Sequence, residues 1–160
     1  MNIKIKEAIK EDFSILILFR LKLLQHDSQL DPDNTYTIDK IQKSSKYMQD
    51  YLKKEDNKYF LAYHNSLPIG YLHVTFDDKK NKNSSYLSEL YVLELYRSQG
   101  VGKRLILSQW KYLKKIGINE NTLTTTKYKN RRTINFYKKL DYNLIKEDKN
   151  ENIVYFSKKI

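Results

Sequence analysis

The chain has no cysteine among its 160 residues. Disulfide bridges, a thiolate nucleophile and cysteine-ligated zinc are therefore excluded, and a reducing, cytoplasmic setting is expected. A membrane span is also missing. The longest apolar run, Ile15-Leu16-Ile17-Leu18-Phe19 with Leu21, Leu23 and Leu24, is broken by Arg20 and Lys22, well short of the roughly 20 residues needed to cross a bilayer. It follows Glu11 and Asp12 rather than a basic stretch, and no small-residue cleavage site comes after it, so no secretory signal is expected. No internal repeat and no second domain is visible, and 40% hydrophobic residues suffice for one core, so a single domain over residues 1–160 is expected. His26, His64 and His73 have no spacing that points to a metal or a triad, and no metal is expected.

Thirty Lys and Arg against nineteen Asp and Glu leave a net charge of +11. Such an excess attracts nucleic acid, anionic lipid or an anionic cofactor, and alone does not choose among them. The lysines are scattered through every segment, which is the distribution of a solvated surface.

Ile3-Lys4-Ile5-Lys6 alternates with period two, so residues 2–8 read as a strand. Asp12 is placed to cap a mostly buried helix over about 13–25, a loop runs from His26 to Tyr36, and Thr37 is placed to cap a second helix with Ile38, Ile41, Met48 and Leu52 on one face. Strands are expected at Tyr59 to His64 and Ile69 to Phe76, joined by a turn at Asn65-Ser66-Leu67-Pro68. A polar connection then leads to a strand from Ser85 to Leu93, a helix from Gly100 to Ile116 closed by Gly117, and a strand at Thr122 to Tyr128. Asn130 caps a short helix through Lys139, and strands at Tyr142 to Lys146 and Ile153 to Lys158 finish the chain.

The most informative stretch is strand, glycine loop, helix: Tyr-Leu-Ser-Glu-Leu-Tyr-Val-Leu, then Arg97-Ser98-Gln99-Gly100-Val101-Gly102. Unpaired N–H groups and a positive dipole end make a helix N-terminus an anion site, and glycines allow close approach. A P-loop would need a glycine where Arg97 stands and Ser or Thr in place of Arg104; a dinucleotide fingerprint needs a small residue where Leu105 stands. The stretch resembles the Q/R-x-x-G-x-G/A motif of the GNAT family of N-acetyltransferases, with Arg97, Gly100 and Gly102 matching. A second segment, Asn130-Arg131-Arg132-Thr133-Ile134-Asn135-Phe136-Tyr137-Lys138-Lys139-Leu140-Asp141-Tyr142, is similar to that family's Asn-x-x-Ala-x-x-Phe-Tyr-x-x-x-Gly-Phe. Asp141 departs from the family's glycine, at a helix ending where Asp tolerates a left-handed conformation at some cost.

The resemblance implies an α/β fold with a mixed, mostly antiparallel sheet of six to seven strands, splayed between the fourth and fifth and flanked by about four helices. It implies acetyl-CoA as cosubstrate. Its pyrophosphate would lie on the backbone N–H groups of Gln99, Gly100, Val101, Gly102 and Lys103, with the Lys103 or Arg104 side chain as an adjunct and Arg97 and Ser98 in the same cofactor-binding loop, and its pantetheine on backbone groups of Tyr91, Val92 and Leu93, where the family has a bulge. Asn130 would support the pantetheine and Tyr137 would face the sulfur. Read alone, Phe136 and Tyr137 are equally core aromatics and Asn130 a helix cap.

Acetylating an amine with a pKa of about 10.4 needs a proton removed, since roughly one molecule in two or three thousand is free base at pH 7. Glu89, the one acidic residue on the strand entering the motif and on the same face as Tyr91, is the candidate base through water; the alternative is an exposed strand-end carboxylate. The family's acceptors include polyamines, aminoglycosides, amino acids and protein amines, selected by segments such as 25–37 and 77–84, which carry no signature here. A homodimer is expected from the resemblance. A basic nucleic-acid-binding module using the fourteen tyrosines, and a catalytically silent acetyl-CoA binder, are the competing readings.

Overall fold

Four strands, Ile3–Glu7 (β1), Asn57–His64 (β2), Leu67–Phe76 (β3) and Ser84–Val92 (β4), are each antiparallel to the next; β1 alternates with period two, whereas β2 and β3 are almost continuously apolar, as suits strands covered on both faces. A computed structural model, which describes residues 1–30, 37–51, 53–76, 83–126 and 131–160, continues the sheet through Glu120–Thr126 (β5), Asn143–Asp148 (β6) and Ile153–Lys159 (β7). The seven strands lie in the order β1-β2-β3-β4-β5-β7-β6. Helices Phe13–Leu30 (α1), Ile38–Tyr51 (α2), Val101–Lys115 (α3) and Arg131–Lys138 (α4) complete the order of elements expected from the sequence. Alternation sends Tyr59, Leu61 and Tyr71 to one face, where Leu16 and Phe19 of α1 and Met48 of α2 cover them. Phe60, Ala62, Leu72 and Val74 go to the other face, under Val101, Leu105, Ile106 and Leu113 of α3.

Several expectations are corrected. Helix α1 runs on to Leu30, so residues 26–30, expected in a loop, are helical; no glycine or proline interrupts the segment before Pro32. The helix is not sealed all round, since Leu18 is half exposed. Asp12 does not cap α1: its carboxylate accepts the Ile9 N–H at 3.0 Å and the Lys6 ammonium at 2.8 Å, closing a short 3-10 turn before the helix. The β2–β3 turn is only Asn65-Ser66, both at positive φ (47° and 67°), and Leu67 and Pro68 already belong to β3. Strand β5 starts two residues earlier than expected, at Glu120. The calls on Tyr36, Leu52 and Tyr128 fall outside the described residues.

The sheet parts at its centre. Parallel pairing of β4 with β5 covers only Ser84↔Glu120, Ser85↔Asn121 and Tyr86↔Thr122, although both strands continue beyond it. A polar clasp fixes the point of parting. Ser85 Oγ donates to the Glu120 carbonyl (2.9 Å) and accepts from Asn121 Nδ2 (2.9 Å), while Thr122 Oγ1 donates to the Ser85 carbonyl (3.0 Å). Asn121 is fully buried, and its side-chain oxygen accepts the Tyr142 hydroxyl. Beyond the clasp, β4 carries an extra residue, Ser88, where the register against β3 shifts. The bulge is therefore at Ser88, not at Tyr91 to Leu93, and a bulge bends its strand.

Helices α3 and α4 end in the same way. Ile118 N–H reaches the Leu113 carbonyl (2.9 Å) and Gly117 N–H the Lys114 carbonyl (3.1 Å); Tyr142 N–H reaches Tyr137 (3.2 Å) and Asp141 N–H Lys138 (3.0 Å). Both are Schellman endings, which require a left-handed residue. Gly117 supplies it at φ 83° and Asp141 at φ 60°. The Asp141 side chain gains little in return, since it is nine-tenths exposed and lies 3.7 Å from Lys158. Asp141→Gly is expected to stabilise the fold by about 1 kcal/mol, read as a higher denaturation midpoint at unchanged m-value; an equal or lower midpoint would show that the Asp conformation carries no strain.

Candidate active site

Helix α3 begins without the usual devices. Gly100 at its N-cap has φ 82°, a region open to glycine, and offers no side chain to cap the helix; the first turn holds no acidic residue. The first intrahelical bond is Arg104 N–H to the Gly100 carbonyl, at 3.0 Å. The amides of Val101, Gly102 and Lys103 thus point out of the helix at its positive end. Gly102 has a second reason to be glycine: a Cβ there would lie 3.2 Å from Phe136 Cζ. The two motifs read from the sequence therefore meet side by side, the second motif's Phe136 packed on the first motif's last glycine.

A cavity of about 940 Å³ runs from this helix start along the opening between β4 and β5. Its walls include Ser98, Gly100, Val101, Gly102, Lys103 and Arg132 at one end, and Glu89, Tyr91, His26 and Asp27 at the other. Arg132 was not singled out in the sequence; its guanidinium donates to Ser98 Oγ at 2.6 Å, beside the exposed amides. On β4, Leu93 N–H is engaged with the Ile69 carbonyl at 2.9 Å. Antiparallel alternation then turns Tyr91 N–H toward β3 as well and Leu90 and Val92 N–H toward the opening. Of the three residues expected to present backbone donors, Val92 alone does so.

Arg97 folds back. Its Nε donates to the Val92 carbonyl at 3.0 Å and its guanidinium lies 5.4 Å from the centre of the Tyr91 ring, so it braces the strand end while still lining the cavity. Gln99 is outside the cavity wall, its side-chain amide donating to the Leu95 carbonyl at 2.8 Å. Asn130 lies outside the described residues, as do residues 31–36 and 77–82 of the two segments expected to select the acceptor.

Tyr137 lines the cavity with 6% of its surface exposed, its ring in contact with Phe136, Tyr142 and Phe156. Among the described residues its hydroxyl makes no hydrogen bond. Burial pushes its pKa above the ordinary tyrosine range, helped by Tyr142 and Tyr86, so the hydroxyl is a neutral donor. Tyr137 is thus both a core aromatic and a group facing the opening.

Glu89 is not an exposed strand-end carboxylate. Only 9% of it is accessible; one oxygen is ion-paired with Arg20 of α1 and the other accepts the Tyr71 hydroxyl at 2.6 Å. Burial raises the Tyr71 pKa, which keeps that donor protonated. One helical face further on, Asp27 reaches the same cavity, and burial pushes its pKa up to about 6 against the opposing pull of Arg20. His26 beside it is driven below the usual imidazole range by burial and by Arg97. The other histidines serve packing: His73 is fully buried, stacked on Tyr59 at 4.1 Å and bonded to Asn57 at 2.9 Å, and His64 packs edge-on to Tyr96. Trp110 packs against Tyr142.

No helix among the described residues is long and apolar enough to cross a membrane, and no group of three or more potential ligand residues among them is placed to hold a metal. Several of the tyrosines invoked for nucleic-acid stacking, Tyr59, Tyr71, Tyr137 and Tyr142, are core residues.

Comparison with known proteins agrees with this geometry. The family model "Acetyltransferase (GNAT) family" matches residues 22–142. The N-alpha-acetyltransferase 50 of Danio rerio is 28% identical over 90 residues, covering 56% of this chain and 54% of that protein, so this chain spans about half the length of that relative. Among solved structures, the PaiA N-acetyltransferase of Thermoplasma acidophilum, in complex with coenzyme A, superposes with a TM-score of 0.74 at 22% identity over 100% of both chains. A GNAT-family acetyltransferase of Staphylococcus aureus gives 0.77 at 19% identity over 99% of both. These structures share the fold, and with the family match over most of its length this chain belongs to the GNAT family of acetyltransferases.

Proposed function

We propose that the protein transfers the acetyl group of acetyl-CoA to a primary amine. The observation that carries this reading is the uncapped start of α3 opening into the same cavity as the parted strands. The residues fit the coenzyme. The amides of Val101, Gly102 and Lys103, with Lys103 and Arg132 beside them, are matched to a pyrophosphate. The outward Val92 N–H and the opening beyond Tyr86 are matched to an extended amide-bearing arm such as pantetheine. When bound, acetyl-CoA supplies an acetyl group activated as a thioester and leaves as the thiol.

The chain's own residues then divide the work. Val92 N–H hydrogen-bonds and orients whatever carbonyl lies in the opening. Tyr137 donates a hydrogen bond to the departing sulfur; its raised pKa favours donation over release of its proton. Glu89 sits at the acceptor end, where a base acting through water is needed; each of its oxygens has one partner, Arg20 or Tyr71, and keeps a lone pair for a water. Asn130 is assigned to the pantetheine end on the strength of the motif. The zebrafish relative is named an N-alpha-acetyltransferase, which makes a peptide α-amine the first acceptor to try. A cytoplasmic setting and a homodimer go with the family and are part of the same proposal.

Two substitutions test the two ends. Tyr137→Phe is expected to lower kcat about 10- to 100-fold with the acetyl-CoA Kd changed less than about threefold; an unaltered kcat would remove the hydroxyl from the mechanism. Gly102→Val puts a branched side chain against Phe136 and over the amides. Acetyl-CoA affinity is expected to fall about tenfold or more, a cost of at least about 1.4 kcal/mol. Calorimetric binding within twofold of the parent would detach the loop from the pyrophosphate.

A further inference from the structure

Three side chains that are far apart in sequence meet under the acceptor end of the cavity: Arg20 and Asp27 on one face of α1, and Glu89 on β4. Their bonding is unequal. Glu89 has both oxygens engaged, by Arg20 and by Tyr71. The Asp27 carboxylate makes no hydrogen bond or ion pair among the described residues, although it feels the Arg20 charge and itself acts on Tyr71. Arg20 is ion-paired with Glu89 and reaches Asp27 only through space, so among the described residues the Asp27 carboxylate stands on the cavity wall with no cation bonded to it. That is the chemistry of a site for a cation.

Resting on the acetyltransferase reading above, we propose that Asp27 is the residue that holds the acceptor's primary ammonium group and takes its proton, while Glu89 positions Arg20 and Tyr71 beneath it. An N–H bond of the ammonium breaks, the proton passes to an Asp27 oxygen and the nitrogen keeps the electron pair it needs for attack. Asp27 then returns the proton to solvent, in accord with the one proton released per amine acetylated. The ordinary alternative is that Asp27 is a half-buried helix carboxylate with no chemical part, and its place on the cavity wall without a partner among the described residues argues against that.

The surroundings agree. Among the described residues, the charged and titratable groups around this end of α1 include Arg20 and His26 from the helix, Tyr47 from α2, Tyr71 from β3, Glu89 and Tyr91 from β4, and Glu94 and Arg97 from the turn after β4. His26, the next residue on the helix, is held toward its neutral form by burial and by Arg97, which lessens its repulsion of an ammonium. Arg97 is tied back to the Val92 carbonyl. Burial lifts Asp27 to about 6, which narrows its mismatch with an amine roughly a hundredfold compared with an ordinary aspartate. The sign follows: the carboxylate needed to bind and deprotonate is present above about pH 6 and is lost as pH falls below it.

The test uses the full chain with two probes, spermidine and a tripeptide with a free N-terminus, which separate a polyamine from a peptide amine. Binding without acetyl-CoA is followed by calorimetry from pH 5 to 8, and thiol release with acetyl-CoA over the same range. For the wild type, affinity for one of the probes is expected to rise about tenfold as pH rises through about 6, with kcat/KM following it. Asp27→Asn is expected to lose that limb, bind the probe at least about tenfold more weakly, and melt higher than the parent at pH 7.5 because a half-buried, partly desolvated charge is gone. Glu89→Gln should keep the limb at lower kcat. The inference is overturned if Asp27→Asn keeps the limb and the affinity, or if neither probe binds while acetyl-CoA does. Failure of the wild type to bind acetyl-CoA would instead sink the acetyltransferase reading itself.

Discussion

The early parting of β4 from β5 is the constraint on which the rest of the arrangement depends. Two parallel strands left unpaired expose backbone donors and acceptors that a buried sheet cannot leave unsatisfied without cost. Here the cost is confined by a clasp of Ser85, Asn121, Thr122 and Tyr142 that ends the pairing at Tyr86↔Thr122. Past it, the bulge at Ser88 turns β4 away, and Val92 N–H faces an opening that suits a polar, extended ligand. Because α3 follows β4 after a short turn, the helix start falls at the end of the same opening. A strand parting and a helix N-terminus, each unfavourable when empty of partners, are thereby placed to share one ligand.

Chain economy at this junction explains the residue types found there. Gly100 is needed for its positive φ, with open space around it, whereas Gly102 is needed for closeness to Phe136. Arg97, at the head of the motif, spends its Nε on the Val92 carbonyl and its guanidinium on the Tyr91 ring, so it fixes the strand end rather than projecting toward the helix. Opposite them, Tyr137 is anchored among Phe136, Tyr142 and Phe156 with its hydroxyl left for the cavity. Burial that makes this tyrosine rigid also makes it a weak acid. Rigid placement and hydrogen-bond donation, rather than proton release, are what such a residue offers.

Much of this was legible in the sequence because it is local. Period-two strands, the strand-loop-helix of residues 86–117 and the glycine ending at Gly117 each depend on neighbours a few positions apart, and the left-handed ending at Asp141 was readable from one departure from a motif. The end of α1 was misjudged because polar residues from Gln25 to Gln29 resemble a loop when nothing forces one. Asp12 was misjudged because a carboxylate before a helix can bond backward as readily as forward, and Lys6 decided the matter. Hydrogen bonding across β3 and β4 decided which amides face the opening, and that register cannot be read from β4 alone. Least legible was the acceptor end: Arg20 and Glu89 are 69 positions apart, and only the crossing of α1 over the sheet joins them. Asn130 remains a sequence-based assignment.

The central claim is that the coenzyme lies in the parted sheet with its phosphates on the start of α3. A crystal structure of the protein grown with coenzyme A measures this directly. The account predicts pyrophosphate oxygens about 3 Å from the amides of Val101 to Lys103, and the pantetheine between β4 and β5 beyond the Tyr86↔Thr122 pair. Coenzyme bound elsewhere, or β4 and β5 zipped together past Leu87 with the helix start buried under side chains, would contradict it.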